Sequence, residues 1–138
     1  MRLTGGCLCG HIRFAAEGMP DNPQTCSCHM FQRDSGAPTN VWVPCSKGDV
    51  SWTGPGGAPA VWRSSGVSSR ALCPVCGSTL GAVDDWPTIG LVSRSFGRPN
   101  LVVLAPVSHS YTASRPKRWC FGSGETRNGG RAPTERLI

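Results

Sequence analysis

At 138 residues the chain suits one domain, and 18 glycines with 12 prolines interrupt it too often for long helices, leaving short strands and loops around a thin core. A net charge of +6, from 14 basic against 8 acidic residues, steers anionic partners toward it, whether small molecules, nucleic acid or acidic protein surfaces. No apolar stretch approaches the ~20 residues of a membrane-spanning helix, so that class is excluded.

The chain opens Met1-Arg2-Leu3-Thr4-Gly5-Gly6 with no apolar leader core, and runs straight into the pair Cys7-Leu8-Cys9. The expected setting is a reducing, cytoplasmic one, where the eight cysteines serve as metal ligands rather than as a disulfide framework. Residues 11–16 read as a half-buried strand, because Ile12 and Phe14 alternate with polar neighbours. A turn-rich loop over 18–23 leads to a second pair, Cys26-Ser27-Cys28. If residues 25–28 are extended, both thiols share one face and can reach one ion. Residues 29–36 suit a short helical turn.

Strands are expected at 40–43 and 50–52, separated by Pro44 and Lys47-Gly48, and at 61–63 after a Gly/Pro loop over 53–59. Residues 68–72 lead into Leu72-Cys73-Pro74-Val75-Cys76-Gly77, and residues 78–83 lead out of it. Further strands are expected at 89–93, 101–104 and 108–111, then a basic turn at 114–119. From 122 to 138 the composition shifts to Gly, Arg, Glu and Thr, so the expected division is a β domain over 1–121 and a mobile tail over 122–138.

Cys73 and Cys76, two apart with Gly77 behind, form a zinc knuckle; the glycine permits the tight turn that aims backbone N–H groups at the sulfurs. A knuckle supplies half of a tetrahedral site. Cys7/Cys9 and Cys26/Cys28 are both candidates for the other half, and also for pairing with each other. Pairing Cys7/Cys9 with Cys73/Cys76 would close a loop of more than sixty residues. Cys45 and Cys120 stand alone and read as buried structural thiols. His11 reads as a surface residue. The five tryptophans read mostly as packing residues, one or two of which can line a pocket. Arg33, Arg63, Arg70 and Arg94 can hold carboxylates through bidentate contacts, although a solvated face also explains them. The run from Arg115 to Arg118 lacks interleaved aromatics, so nucleic-acid binding is not expected.

Four segments, in order and spacing, resemble the glutathione-dependent formaldehyde-activating enzyme family, which also includes centromere protein V. They are Gly5-Gly6-Cys7-Leu8-Cys9-Gly10-His11-Ile12-Arg13-Phe14, Cys26-Ser27-Cys28 with Gln32-Arg33-Asp34-Ser35-Gly36-Ala37, Leu72-Cys73-Pro74-Val75-Cys76-Gly77, and His109 with Ser114-Arg115-Pro116. The resemblance implies a mostly β fold, coiled antiparallel sheets around a structural zinc held by Cys7, Cys9, Cys73 and Cys76. It implies a carbon–sulfur lyase that joins formaldehyde to a small thiol, glutathione, with Cys26 and Cys28 at the reactive site and His109 as a proton carrier. The family's second zinc sits on C-x-C-x-x-C, and here Phe31 occupies the third position. The second zinc is therefore expected to be weak or absent unless His29 or Cys45 completes its shell. A non-catalytic zinc β module that binds a protein or an anionic ligand is the competing expectation.

Overall fold

The structure, a computed structural model, describes residues 1–117. Cys120 and the expected tail over 122–138 lie outside the described residues.

Strands β1 (Arg2–Gly6) and β2 (Arg13–Glu17) form an antiparallel hairpin, extended by β5 (Val50–Trp52) into a three-stranded sheet. The remaining strands are β3 (Gln24–Cys26), β4 (Asn40–Ser46), β6 (Ala60–Arg63), β7 (Ser68–Leu72), β8 (Thr79–Asp84), β9 (Thr88–Val92) and β10 (Ser108–Ser110). They form a seven-stranded sheet in the order β10-β3-β4-β9-β8-β7-β6, antiparallel except where β10 runs parallel to β3. The mostly β, largely antiparallel architecture expected from the sequence is the one observed.

Alternation explains the core. In β1 Leu3 and Gly5 face inward, in β2 Phe14 and Ala16 do, and in β9 Ile89 and Leu91 do. Leu3, Phe14, Ala16, Ile89 and Leu91, with Val43, Phe96 and Leu104, form the main cluster between the sheets. Phe14 meets Phe96 and Trp52 edge to face, at ring separations of 5.1 and 6.1 Å. Burying each large apolar side chain is worth about 1.5–3 kcal/mol. Gly5 is required by close approach: a Cβ there would lie 2.2 Å from the Ser95 carbonyl oxygen.

Three local expectations need correction. Residues 101–104 are not a strand. Val102–Leu104 is a 3-10 turn that drops Leu104 into the core, since a four-residue apolar run between Pro99 and Pro106 has no strand to pair with. β4 does not stop before Pro44 but continues to Ser46; the missing N–H is tolerated while the register with β9 continues through Pro44↔Gly90. The strand bearing Cys26 ends there, so Cys26 and Cys28 are not two neighbours on one strand face. Cys28 instead N-caps helix α1 (His29–Ser35), whose C-cap Gly36 takes the left-handed φ of 69°. Among the described residues no helix is long and apolar enough to cross a membrane.

Candidate functional site

The turn of the β1–β2 hairpin carries Cys7 and Cys9, and the turn of the β7–β8 hairpin carries Cys73 and Cys76. Both turns are built alike. Cys7 N–H donates to the Ile12 carbonyl and Cys73 N–H to the Ser78 carbonyl, each at 3.0 Å. Gly10 and Gly77 supply positive φ, 85° and 71°. The Ile12 N–H points at Cys7 Sγ (3.2 Å), and Leu8 N–H reaches across to Ser78 Oγ (3.1 Å), so the two turns face each other.

The four sulfurs lie within 4.8 Å of one another, with Cys7 to Cys9 at 3.6 Å and Cys9 to Cys73 at 3.8 Å. A tetrahedron of thiolates around zinc, with Zn–S near 2.3 Å, has edges of about 3.8 Å, so this donor set fits such an ion. Cys7 and Cys73 are buried, whereas Cys9 and Cys76 are exposed. The Ser78 hydroxyl and N–H bring Cys76 down to about 5. At Cys9 the His11 N–H pulls downward, but partial desolvation and the three neighbouring thiols push it up to about 12. A cation among the four sulfurs would offset the repulsion between their ionised forms.

The second cysteine pair lies elsewhere. Cys26 is buried at the end of β3, beside Trp42 and Ala82, and burial pushes its thiol up. Cys28 Sγ accepts the Phe31 N–H at 3.5 Å. The Phe31 ring packs on Trp42, ring centres 4.3 Å apart, and the Arg70 guanidinium stacks on Phe31 at 4.3 Å. His29 is exposed on α1. Cys45 lies five residues along β4 from Asn40, the partner of Cys26, a separation of about 16 Å. Among the described residues no third metal-ligating side chain joins Cys26 and Cys28, so the pair does not fit a second zinc.

A cleft of about 450 Å³ opens beside this pair. Cys28, Met30, Phe31, Trp42, Trp86 and Arg70 are among its walls. Two of the tryptophans thus line a pocket, as the sequence allowed. Of the four arginines considered, Arg70 alone lines the cleft. Arg63 pairs with Asp85 at 2.6 Å and Arg94 donates to Asn100 at 3.3 Å, both at the surface. Burial holds the Arg70 guanidinium below its ordinary value and pushes the Asp34 carboxyl up, each opposed by the other's charge.

His109 does not line the cleft. Register places it beside Thr25, and its Nε2 meets Ser27 Oγ at 2.8 Å, between the two cysteines. Gln32, quoted only as part of a motif, ties this region together. Its amide nitrogen shares two hydrogens among the carbonyl oxygens of Ser27, Pro38 and Ser114, at 3.0, 3.1 and 2.9 Å. His11 is half-buried rather than a free surface residue, its ring filling the space where a Cβ on Gly56 would sit.

A Rhodobacter sphaeroides protein of known crystal structure shares the fold, with a TM-score of 0.61 and 16% identity over 78% of this chain and 99% of that one. No curated protein matches the sequence. The family signature described as "Glutathione-dependent formaldehyde-activating enzyme" matches residues 2–114, most of the chain, and the protein therefore belongs to the glutathione-dependent formaldehyde-activating enzyme family.

Proposed function

We propose that the protein is a zinc-stapled β domain that makes or breaks the carbon–sulfur bond of a small thiol–aldehyde adduct of the glutathione–formaldehyde type. The observation that carries this reading is the cleft: about 450 Å³, large enough for a tripeptide-sized molecule, with Cys28 in its wall. Zinc held by Cys7, Cys9, Cys73 and Cys76 supplies a closed structural clamp, with no open position for substrate.

In the forward direction the substrate sulfur bonds to the aldehyde carbon, and the thiol proton ends on the former carbonyl oxygen. The chain's part is to hold the two molecules together in the cleft. Trp42, Phe31 and Trp86 exclude water from the apolar side of the cleft. His109, outside the cleft and hydrogen-bonded to buried Ser27, acts through Ser27 as a positioning residue for the Cys26–Cys28 segment. Exchange spectroscopy with labelled formaldehyde and glutathione tests this directly. The zinc-loaded protein should raise the exchange rate above the spontaneous one, and His109→Ala should reduce that gain at least about tenfold by loosening the Cys26–Cys28 segment.

Phe31 favours a second reading, a non-catalytic zinc module that binds an anionic ligand. The ring fills the position of the third thiolate and removes the metal-activated route. An exchange rate that stays at the spontaneous value at every zinc concentration selects this reading.

A further inference from the structure

We propose that the floor of the cleft is a metal-free anion site, in which Arg70 takes the carboxylate of a ligand whose body lies on the Phe31–Trp42 wall. This deepens the reading above by naming the group that receives the ligand's charged end, and it rests on that reading only in using the same cleft.

Arg70 is 3% exposed, and among the described residues it makes no ion pair. Its Nε and Nη1 have no protein acceptor. Its Nη2 donates only to the Met30 sulfur, at 2.8 Å. A thioether is a weak acceptor, a poor match for a buried cation. The deficit is shared by its neighbours in the cleft. Trp42 Nε1 and Ser68 Oγ are also buried without a protein partner. Three polar side chains around one cavity thus offer hydrogens and find no oxygen, which calls for an acceptor-rich ligand.

Asp34 does not fill this role. Its Oδ2 is itself buried without a partner, and it is not among the cleft walls. Asp84 lines the cleft and contributes an attractive field to Arg70, but no contact. The guanidinium is held instead by aromatic faces, 4.3 Å from Phe31 and 5.8 Å from Trp42. That stacking fixes its plane; its Nε and Nη1 are covered and unpartnered, so a carboxylate reaches them once a covering side chain moves. Met30, 38% exposed and flexible, is the group an incoming carboxylate would displace. With Phe31, Trp42 and Trp86 around it, a carboxylate on an aromatic or otherwise flat body suits the cleft.

Phenylacetate and its neutral isostere phenylacetamide serve as probes, with binding to the zinc-loaded protein followed by calorimetry. Phenylacetate should bind at least about tenfold more tightly than the amide. Added zinc should not change its affinity. Arg70→Gln should abolish that preference, and Met30→Ala should tighten phenylacetate binding. Equal affinity for acid and amide in the wild type overturns the proposal, even if Arg70→Gln fails to fold, and so does a requirement for added zinc. Loss of carbon–sulfur exchange with the acid preference intact removes the proposed reaction and leaves this site. Exchange activity without the acid preference does the reverse.

Discussion

The two cysteine-bearing regions start from similar sequence and end in opposite states. Around Cys7, Cys9, Cys73 and Cys76 every sulfur is placed by a hairpin turn, each turn is closed by its own backbone hydrogen bonds, and the strands behind are paired, β7 with β8 through a bulge at Ala71–Leu72. Around Cys26 and Cys28 the strand is three residues long, the second cysteine caps a seven-residue helix, and no third ligand arrives. The first region joins the two sheets, because one hairpin belongs to each. The second joins nothing that the Gln32 amide and the His109–Ser27 bond do not already join. A site that staples the fold keeps all four ligands. At the second region an aromatic ring and a guanidinium stand near the two thiols instead of further ligands.

The largest expected effect comes from emptying the first region. Zinc bound by four cysteines is worth on the order of 10–16 kcal/mol, comparable to the stability of a whole domain. Cys9 and Cys73 are 64 positions apart, so losing the ion also frees a long loop. Cys76→Ser is the clean variant, since that side chain is exposed and removes nothing from the core. It should unfold the domain, as should strong chelation of the wild type. Native near-UV circular dichroism persisting in metal-free protein would break the comparison, because the four-cysteine cluster would then be as dispensable as the pair.

Next in size is the attempt to turn the second region into the first. Phe31→Cys should raise zinc from one to two per chain and protect Cys26 and Cys28 from thiol labelling. The gain should be partial, because the Arg70 guanidinium sits where it repels a divalent ion. Adding Arg70→Met should tighten the second zinc by at least about tenfold. Removing the ring costs packing against Trp42, so a loss of about 1–3 kcal/mol in urea stability should accompany the gain. Two zincs per chain in the wild type would show that a ligand outside the described residues completes the shell.

A smaller effect is expected at His109. Its bond to Ser27 ties β10 to the residue that follows β3, and His109→Ala should cost about 1–2 kcal/mol by leaving the buried hydroxyl unpaired. A urea midpoint unchanged from the wild type would show that the bond is not held in solution.

The legible parts of this molecule are those where local chemistry and tertiary role agree. The knuckle at Cys73–Gly77, the inward alternation of Leu3, Phe14 and Ile89, and the helix closing at Gly36 are each dictated within a few residues. Arg70 was not distinguishable from the other arginines, because Ser68-Ser69-Arg70 in an alternating strand reads as a polar face turned to water. That face is buried because Phe31, more than thirty residues away, folds over it. Cys28 was misplaced for a related reason. Its side chain accepts the helix N–H of Phe31, which makes Cys28 the helix cap and ends the strand at Cys26. The run Leu101 to Leu104 has the composition of a strand and no neighbour to pair with, which periodicity cannot reveal.

The smallest effect concerns a thiol that belongs to neither region. Cys45 donates weakly to the Val43 carbonyl at 3.7 Å, and burial, aided by the charge of Asp49, pushes it up to about 11. In the unfolded chain the same thiol titrates near its ordinary 9.0. Between those values the unfolded chain gives up a proton that the folded one keeps. The contribution is therefore complete below about pH 9 and is lost as pH rises through about 11. Because the side chain is partly solvated, its worth is discounted to about 1 kcal/mol or less. Cys45→Ala should shift the urea midpoint by some fixed amount at pH 7, from lost packing alone. At pH 10 that difference should shrink, since only the wild type then suffers the penalty. A difference independent of pH between 7 and 10 would mean that Cys45 titrates as an open thiol. The packing of Cys45 against the main cluster would then be looser than its burial implies.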